Sequence, residues 1–225
     1  MTIEARCPAP RSPAWVPPGV YEPQQDTRLL IRALQRERLA PAADVLDLGT
    51  GSGAVALAAA RLGTHVTAVD ISWRAVLATR VNALLSRQNI SVRRGDLTSA
   101  VPGRSFDLVV SNPPYVPSPG RAAPRGAARA WDAGRDGRMV LDRICDATTT
   151  LLRPRGVLLV VQSALCGVED TLARLSEVGL SATVTDRATV PYGRILLSRL
   201  TWLRQRGLMA DDMVEELVVV RAVRT

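Results

Sequence analysis

Apolar positions along the chain recur in two rhythms. "DVLDLG" (44–49), "HVTAVDIS" (65–72), "ISVRRGD" (90–96), "FDLVVSN" (106–112) and "GVLLVVQS" (156–163) are short apolar runs stopped by glycine, aspartate, asparagine or serine, which predicts strands. Between them, "AVALAAARL", "WRAVLATRVNALLSR", the stretch around 138–152 and "VEDTLARLSEVGL" carry helical spacing. Another helix begins within "YEPQQDTRLLIRALQRERL", with Asp26 or Thr27 as its expected N-cap, and Ser72 is placed to cap the helix after it. "SATVTDR" and "EELVVVRAV" predict two late strands. The segment 188–214 between them is ambiguous, since "RILLSRLTWLRQRGL" reads as helix or as strand plus helix. "GRAAPRGAARAWDAGRDGR" (120–138) is loop-like, and no internal repeat is present.

Strands spaced by helices imply βαβ units and a mostly parallel sheet with helices on both faces. Ligands in such sheets lie beyond the carboxyl ends of the strands. Gly49, Asp70, Asp96 and Asn112 each end or follow a predicted strand, so the pattern gathers them on one rim.

Length and composition narrow the class. The chain has 225 residues, 47% of them apolar, enough for one domain with a full core. Residues 1–20 read as a proline-rich, poorly ordered arm and 21–225 as the domain. That arm has no continuous apolar stretch and no run approaches the roughly 18–20 residues of a bilayer span, so a cytoplasmic location with no membrane partner is expected. Cys7, Cys145 and Cys166 lie far apart with no C-x-x-C pair, which predicts neither disulfides nor a metal site. His65, the single histidine, opens a strand and is expected to be structural.

The net charge of +8 raises nucleic acid as a partner. All 29 basic residues are arginine, however, and they are scattered apart from Arg121, Arg125, Arg129, Arg135 and Arg138.

"DLGTGSGAVAL" is a glycine-rich turn between a strand and a helix, where a ligand can approach the backbone closely. Asp70 follows about twenty residues on, where a carboxylate can hold ribose hydroxyls. Alone the turn is ambiguous, because Gly49 to Ala54 also satisfies the G-x-G-x-x-G/A pattern of NAD-binding oxidoreductases. Two features favour S-adenosylmethionine. Asp47 stands before the loop, suited to an ammonium group. Asp96-Leu97 offers an acceptor for an adenine amine with an apolar side chain beside the ring, although Asp96 is also suited to capping a turn.

Asn112-Pro113-Pro114-Tyr115 supplies the chemistry. Two prolines end the strand and fix φ, so the Pro113 carbonyl direction is set before a substrate arrives. With the Asn112 side-chain oxygen it makes two neutral acceptors for an –NH₂ group, and Tyr115 gives a flat face for a planar group. A conjugated nitrogen, whose lone pair is delocalised as in a peptide bond, needs this kind of help to attack a methyl group.

With these strand ends the sequence resembles the class I, Rossmann-like methyltransferases, and NPPY resembles their amino-methyltransferases of adenine, guanine or glutamine nitrogens. "VYEPQQDTRLLIRAL", "VLDLGTGSG", "NPPYVP" and "ARAWDAGRDGRMVLDRI" together, over roughly 20–162, resemble the HemK family, most of all its short branch. That resemblance implies a seven-stranded sheet, S-adenosylmethionine as cofactor, and N5-methylation of a glutamine in a peptide chain release factor. It assigns Thr27, Asp47, Gly49, Gly51, Asp70, Asp96, Leu97 and Asn112 to the cofactor, and Asn112, Pro113, Pro114 and Tyr115 to the substrate.

Longer bacterial members carry an N-terminal helical domain for docking the release factor, whereas some twenty residues precede the shared stretch here. The short branch often works with a small zinc-binding adapter subunit. Ala133 stands where the family often has a glycine, which is expected to restrict that loop, and Asp136 is expected to cap a helix rather than serve the site. The competing readings are an RNA or DNA amino-methyltransferase acting on adenine N6 or guanine N2, an NAD-dependent oxidoreductase, and a non-catalytic binding module.

Overall fold

Each predicted strand lies in a single seven-stranded sheet. A computed structural model describes residues 15–120, 124–209 and 213–225. The strands are β1 (Asp44–Leu48), β2 (His65–Asp70), β3 (Ile90–Arg94), β4 (Phe106–Ser111), β5 (Leu152–Ser163), β6 (Leu180–Pro191) and β7 (Val214–Arg224). They lie in the order β3-β2-β1-β4-β5-β7-β6. β1 to β5 pair in parallel, and β7 pairs antiparallel with both β5 and β6.

Alternation along the central strands sorts side chains onto two faces. Val45, Leu108, Val110, Leu159 and Val161 pack under α1 (Gln25–Arg36), α2 (Ala54–Ala60) and α3 (Trp73–Leu85). Leu46, Leu48, Val109, Leu158 and Val160 pack against α4 (Leu141–Leu151) and α5 (Val168–Glu177). Two short helices, α6 (Arg194–Ser198) and α7 (Leu200–Gln205), follow β6 around a small cluster of Tyr192, Leu196, Leu203 and Met209. Among its described residues, the ambiguous 188–214 segment therefore holds the end of a long strand, two short helices and the start of β7.

Several boundaries differ from the pattern-based expectation. Asp26 and Thr27 do not cap α1; Gln24 occupies the N-cap position and both residues sit buried inside the first turn. Ser72 holds the N-cap position of α3 without a side-chain cap bond; its N–H instead donates to Asp70 Oδ1 at 2.8 Å. β3 ends two residues early, at Arg94, and the following Gly95 packs against Ala100, where a Cβ would come within 2.6 Å of the Ala100 Cβ. β5 starts four residues early, carrying Arg155 at φ 62. The helix expected around 138–152 begins at Leu141.

Residues 1–14, including Cys7, and Arg121 lie outside the described residues. Of the expected arm, Trp15 is tied to the domain: its N–H donates to Asn82 Oδ1 at 2.9 Å and its carbonyl accepts from Asn82 Nδ2 at 2.7 Å. Among the described residues, no helix is long and apolar enough to cross a membrane. His65 lies at the amino end of β2 with an exposed side chain, opposite the rim that carries the site.

Candidate active site

The carboxyl ends of β1 to β4 open into a cleft of about 900 Å³, within the size range of small-molecule sites. Every site residue expected from the sequence lines it: Thr27, Asp47, Gly49, Gly51, Asp70, Asp96, Leu97, Asn112, Pro113, Pro114 and Tyr115.

At one end, the glycine turn is held by Gly49 N–H and Thr50 N–H, both donating to Val69 O at 2.9 and 3.0 Å. Gly49 and Gly51 have φ of 73 and 57, and a Cβ on either would meet nothing within 4 Å. Both positions favour glycine for conformation and present bare backbone to the cleft. Gly53 needs to be glycine for another reason: at φ 85 its missing Cβ would approach Thr79 Cγ2 to 2.9 Å.

Asp47 is buried, accepting from Thr50 Oγ1 at 2.7 Å and Ala56 N at 3.1 Å. Burial nevertheless pushes its carboxyl up to about 7. Asp70 accepts from Gly51 N at 3.0 Å and Ser72 N at 2.8 Å, which aims both oxygens, and burial raises its pKa too. Asp70 lines the cleft, where a carboxylate so anchored can still accept from a diol.

Asp96 precedes a 3₁₀ turn (Leu97–Ala100), so the turn-capping reading holds for its backbone: its carbonyl accepts from Ser99 Oγ at 2.8 Å. Its carboxylate is aimed by Arg143, which donates to Oδ2 at 2.8 Å. Leu97 takes φ 49, unusual for a bulky residue and the kind of local strain found at ligand sites.

At the other end, Asn112 leaves β4 and donates from Nδ2 to Thr27 Oγ1 at 3.1 Å. Tyr115 donates to Asp26 Oδ2 at 2.8 Å, and so does Tyr21. Burial, reinforced by Asp26, holds both phenols protonated far above their usual range. Glu215, from β7, closes this end; its Oε1 is buried without a partner and burial pushes its carboxyl up to about 7.

The segment after NPPY forms a wall. Val116 N donates to Trp131 O, Ala133 N to Val116 O and Ser118 N to Gly134 O. Ala133 is buried and keeps a negative φ, so it places no strain on the loop. Asp136 does not cap α4, whose N-cap position is Val140; it accepts from Arg138 N in the preceding turn and is not among the residues lining the cleft. Arg138 is buried too, donating to Cys166 O, Gly167 O, Thr171 Oγ1 and Asp142, so it belongs to the scaffold rather than to a basic patch.

Tyr21, Asp26, Glu215 and Arg143 are among the cleft residues that sequence reasoning missed. Tyr21 and Asp26 sat inside the quoted "YEPQQDT", where Asp26 passed for a cap. Glu215 and Arg143 reach the cleft through chain folding and carry no local signal.

The methyltransferase small domain family matches residues 17–125. A Methanocaldococcus jannaschii protein named as a protein N5-glutamine methyltransferase is 35% identical over 182 residues, covering 80% of this chain and 90% of its own length. The chain belongs to the protein N5-glutamine methyltransferase family. The release factor glutamine methyltransferase of Gloeobacter violaceus is 38% identical over 189 residues, 78% of this chain and 66% of that enzyme. Among solved structures, Mtq2 of E. cuniculi superposes with a TM-score of 0.64 at 27% identity, covering 92% of this chain and 99% of Mtq2; it was solved with Trm112, a complex that methylates the termination factor eRF1.

This N5-glutamine methyltransferase family member is an S-adenosylmethionine-dependent N-methyltransferase with the Rossmann-like fold expected from its sequence. The NAD-oxidoreductase reading of its glycine turn is set aside. The residues present fit the cofactor: bare glycine backbone beside open space, a doubly anchored Asp70, and an aimed carboxylate at Asp96.

Proposed function

We propose that this methyltransferase N5-methylates a glutamine side chain of a peptide chain release factor, acting in the cytoplasm. The observation that carries the reading is the orientation of Asn112. Its Nδ2 is committed to Thr27 Oγ1, which leaves Oδ1 to accept from a substrate –NH₂ beside the Pro113 carbonyl. The family relatives named for glutamine and release factors supply the substrate class.

In this reading Asp47 meets the ammonium group of the cofactor, Gly49 and Gly51 its methionine portion, Asp70 its ribose, and Asp96-Leu97 its adenine. Thr27 borders the cofactor through its bond to Asn112. When bound, S-adenosylmethionine supplies an electrophilic methyl group on its sulfonium. Asn112 Oδ1 and Pro113 O accept the two amide hydrogens and orient the nitrogen lone pair toward that methyl. Pro114 stiffens the turn, and the Tyr115 ring packs against the amide plane. No strong base is needed, because the nitrogen loses its proton once the new N–C bond has formed.

A small zinc-binding adapter subunit is proposed as partner, on the surface of α3. Trp73, Leu77 and Leu84 lie on one exposed face of that helix, with 56%, 43% and 78% of their area open. β3 beside them is an edge of the sheet. That face is apolar enough to need a cover and matches a partner that extends the sheet.

A nucleic-acid substrate is the second reading, favoured by Arg129, Arg143 and Arg194 on the cleft and the net charge of +8. Incubation with methyl-labelled cofactor and either release factor or RNA separates the two. Label on one release-factor glutamine, lost in Asn112→Ala by at least about a hundredfold, is expected. Label in RNA alone would overturn the protein-substrate reading.

A further inference from the structure

Asp26 is a buried carboxylate, 2% exposed, in the first turn of α1. Its Oδ2 accepts from the Tyr115 and Tyr21 hydroxyls, each at 2.8 Å. Its Oδ1 accepts from the Thr27 N–H and, at 3.2 Å, from the Thr27 hydroxyl. With donors arriving on both of its oxygens, Asp26 accepts throughout, so every one of these bonds has a fixed direction. The Thr27 hydroxyl has one hydrogen, and Asp26 takes it. Thr27 Oγ1 can then only accept from Asn112, so the amide turns its –NH₂ toward Thr27. The amide oxygen is left for the substrate.

We propose that Asp26 is a positioning residue that sets the hydrogen-bond polarity of the methyl-acceptor site, acting through Thr27 on Asn112 and directly on the Tyr115 ring. This rests on the reading of Asn112 as acceptor for the substrate amide. With a carboxamide at position 26, an –NH₂ group must meet donors on one side, either the two phenol hydroxyls or the Thr27 N–H and hydroxyl, and turned toward Thr27 it makes that hydroxyl an acceptor of its own hydrogen. The threonine hydroxyl is then free to donate to Asn112 Oδ1, and Asn112 can flip. A flipped Asn112 presents N–H groups to the N–H groups of the substrate, and the site repels what it is built to hold.

The test is Asp26→Asn, nearly the same shape, assayed on the full chain with release factor and labelled cofactor. The expected result is a fall in kcat of about 10- to 100-fold, with the dissociation constant for S-adenosylmethionine by calorimetry within about threefold of wild type. Independently of turnover, the Asn112 side-chain amide pair in a ¹⁵N spectrum, assigned by its loss in Asn112→Ala, should shift in Asp26→Asn.

Wild-type kcat and an unmoved Asn112 amide in Asp26→Asn would overturn the inference. So would a fall in kcat matched by an equal loss of cofactor affinity, which would mark a merely structural residue. Asn112→Ala in the same assay keeps the two readings apart. If Asn112→Ala is fully active, the acceptor-site reading itself fails; if it is dead while Asp26→Asn is normal, only the role of Asp26 fails.

Discussion

Burial raises the pKa of three cleft carboxyls, Asp47, Asp70 and Glu215, and for two of them this has a consequence at the level of a single residue. Glu215 is raised from 4.5 to about 7 by burial. A group raised on folding favours the folded state fully below its unfolded pKa, and that contribution is lost as pH climbs through the folded value. Glu215→Gln, which cannot ionise, should therefore be more stable than wild type by about 1–3 kcal/mol at pH 8, the gap closing only below the unfolded value, by about pH 4. Urea denaturation at the two pH values checks it. Asp47 is likewise raised to about 7, with Asp70 beside it shifted in the same direction. If Asp47 meets the ammonium of S-adenosylmethionine, binding favours its ionised form and expels a proton. Affinity should then rise roughly tenfold between pH 6 and pH 8, measurable by calorimetry in buffers of different ionisation enthalpy.

At the scale of elements, the turn after NPPY depends on a close approach of backbone to backbone. Gly137 has φ 77, and a Cβ there would come within 2.4 Å of Tyr115 O and 2.6 Å of Cys166 Sγ. Cys166 itself donates to Tyr115 O at 3.0 Å, its thiol held protonated by burial. Gly137→Ala should thus push the Tyr115 backbone toward the cleft. The expected outcome is a loss of about 1–3 kcal/mol in stability, with kcat down at least about tenfold. The chain pattern marked 120–138 as a loop, because such conformations are set by local chemistry, but it expected Asp136 to cap a helix, whereas Asp136 accepts from Arg138 N in the turn ahead of α4. It did not show that Arg138 is a buried strut, since a guanidinium looks the same in sequence whether it faces solvent or Cys166 O.

At the scale of the whole molecule, the net charge and the apolar face of α3 point to different partners. Many arginines are already paired, among them Arg153 with Asp44 and Asp107, Arg174 with Asp146 and Arg221 with Glu37, so the +8 is spread over a salt-bridged surface. The α3 face is the more specific feature. Leu84→Asp should leave the fold and cofactor affinity unchanged while weakening association with a co-expressed adapter subunit by at least about tenfold. Co-purification and titration measure this, and undiminished association would remove the adapter from that face.

The sequence by itself determined the sheet, the rim and the kind of cofactor. Short apolar runs, the glycine turn and acidic or asparagine strand ends are written in local spacing, and the parallel topology follows from strands separated by helices. EPQQDT, NPPY and their order determined the resemblance to glutamine methyltransferases. Only the tertiary structure decided what those residues do to one another. Asp26 is 89 residues from Tyr115, yet one carboxylate oxygen serves both Tyr115 and Tyr21. Glu215 enters the cleft because β7 reverses direction beside β5. Arg143 reaches Asp96 across 47 residues. Hydrogen-bond direction and burial belong to groups that meet through folding, so local spacing cannot show which of them donates and which accepts.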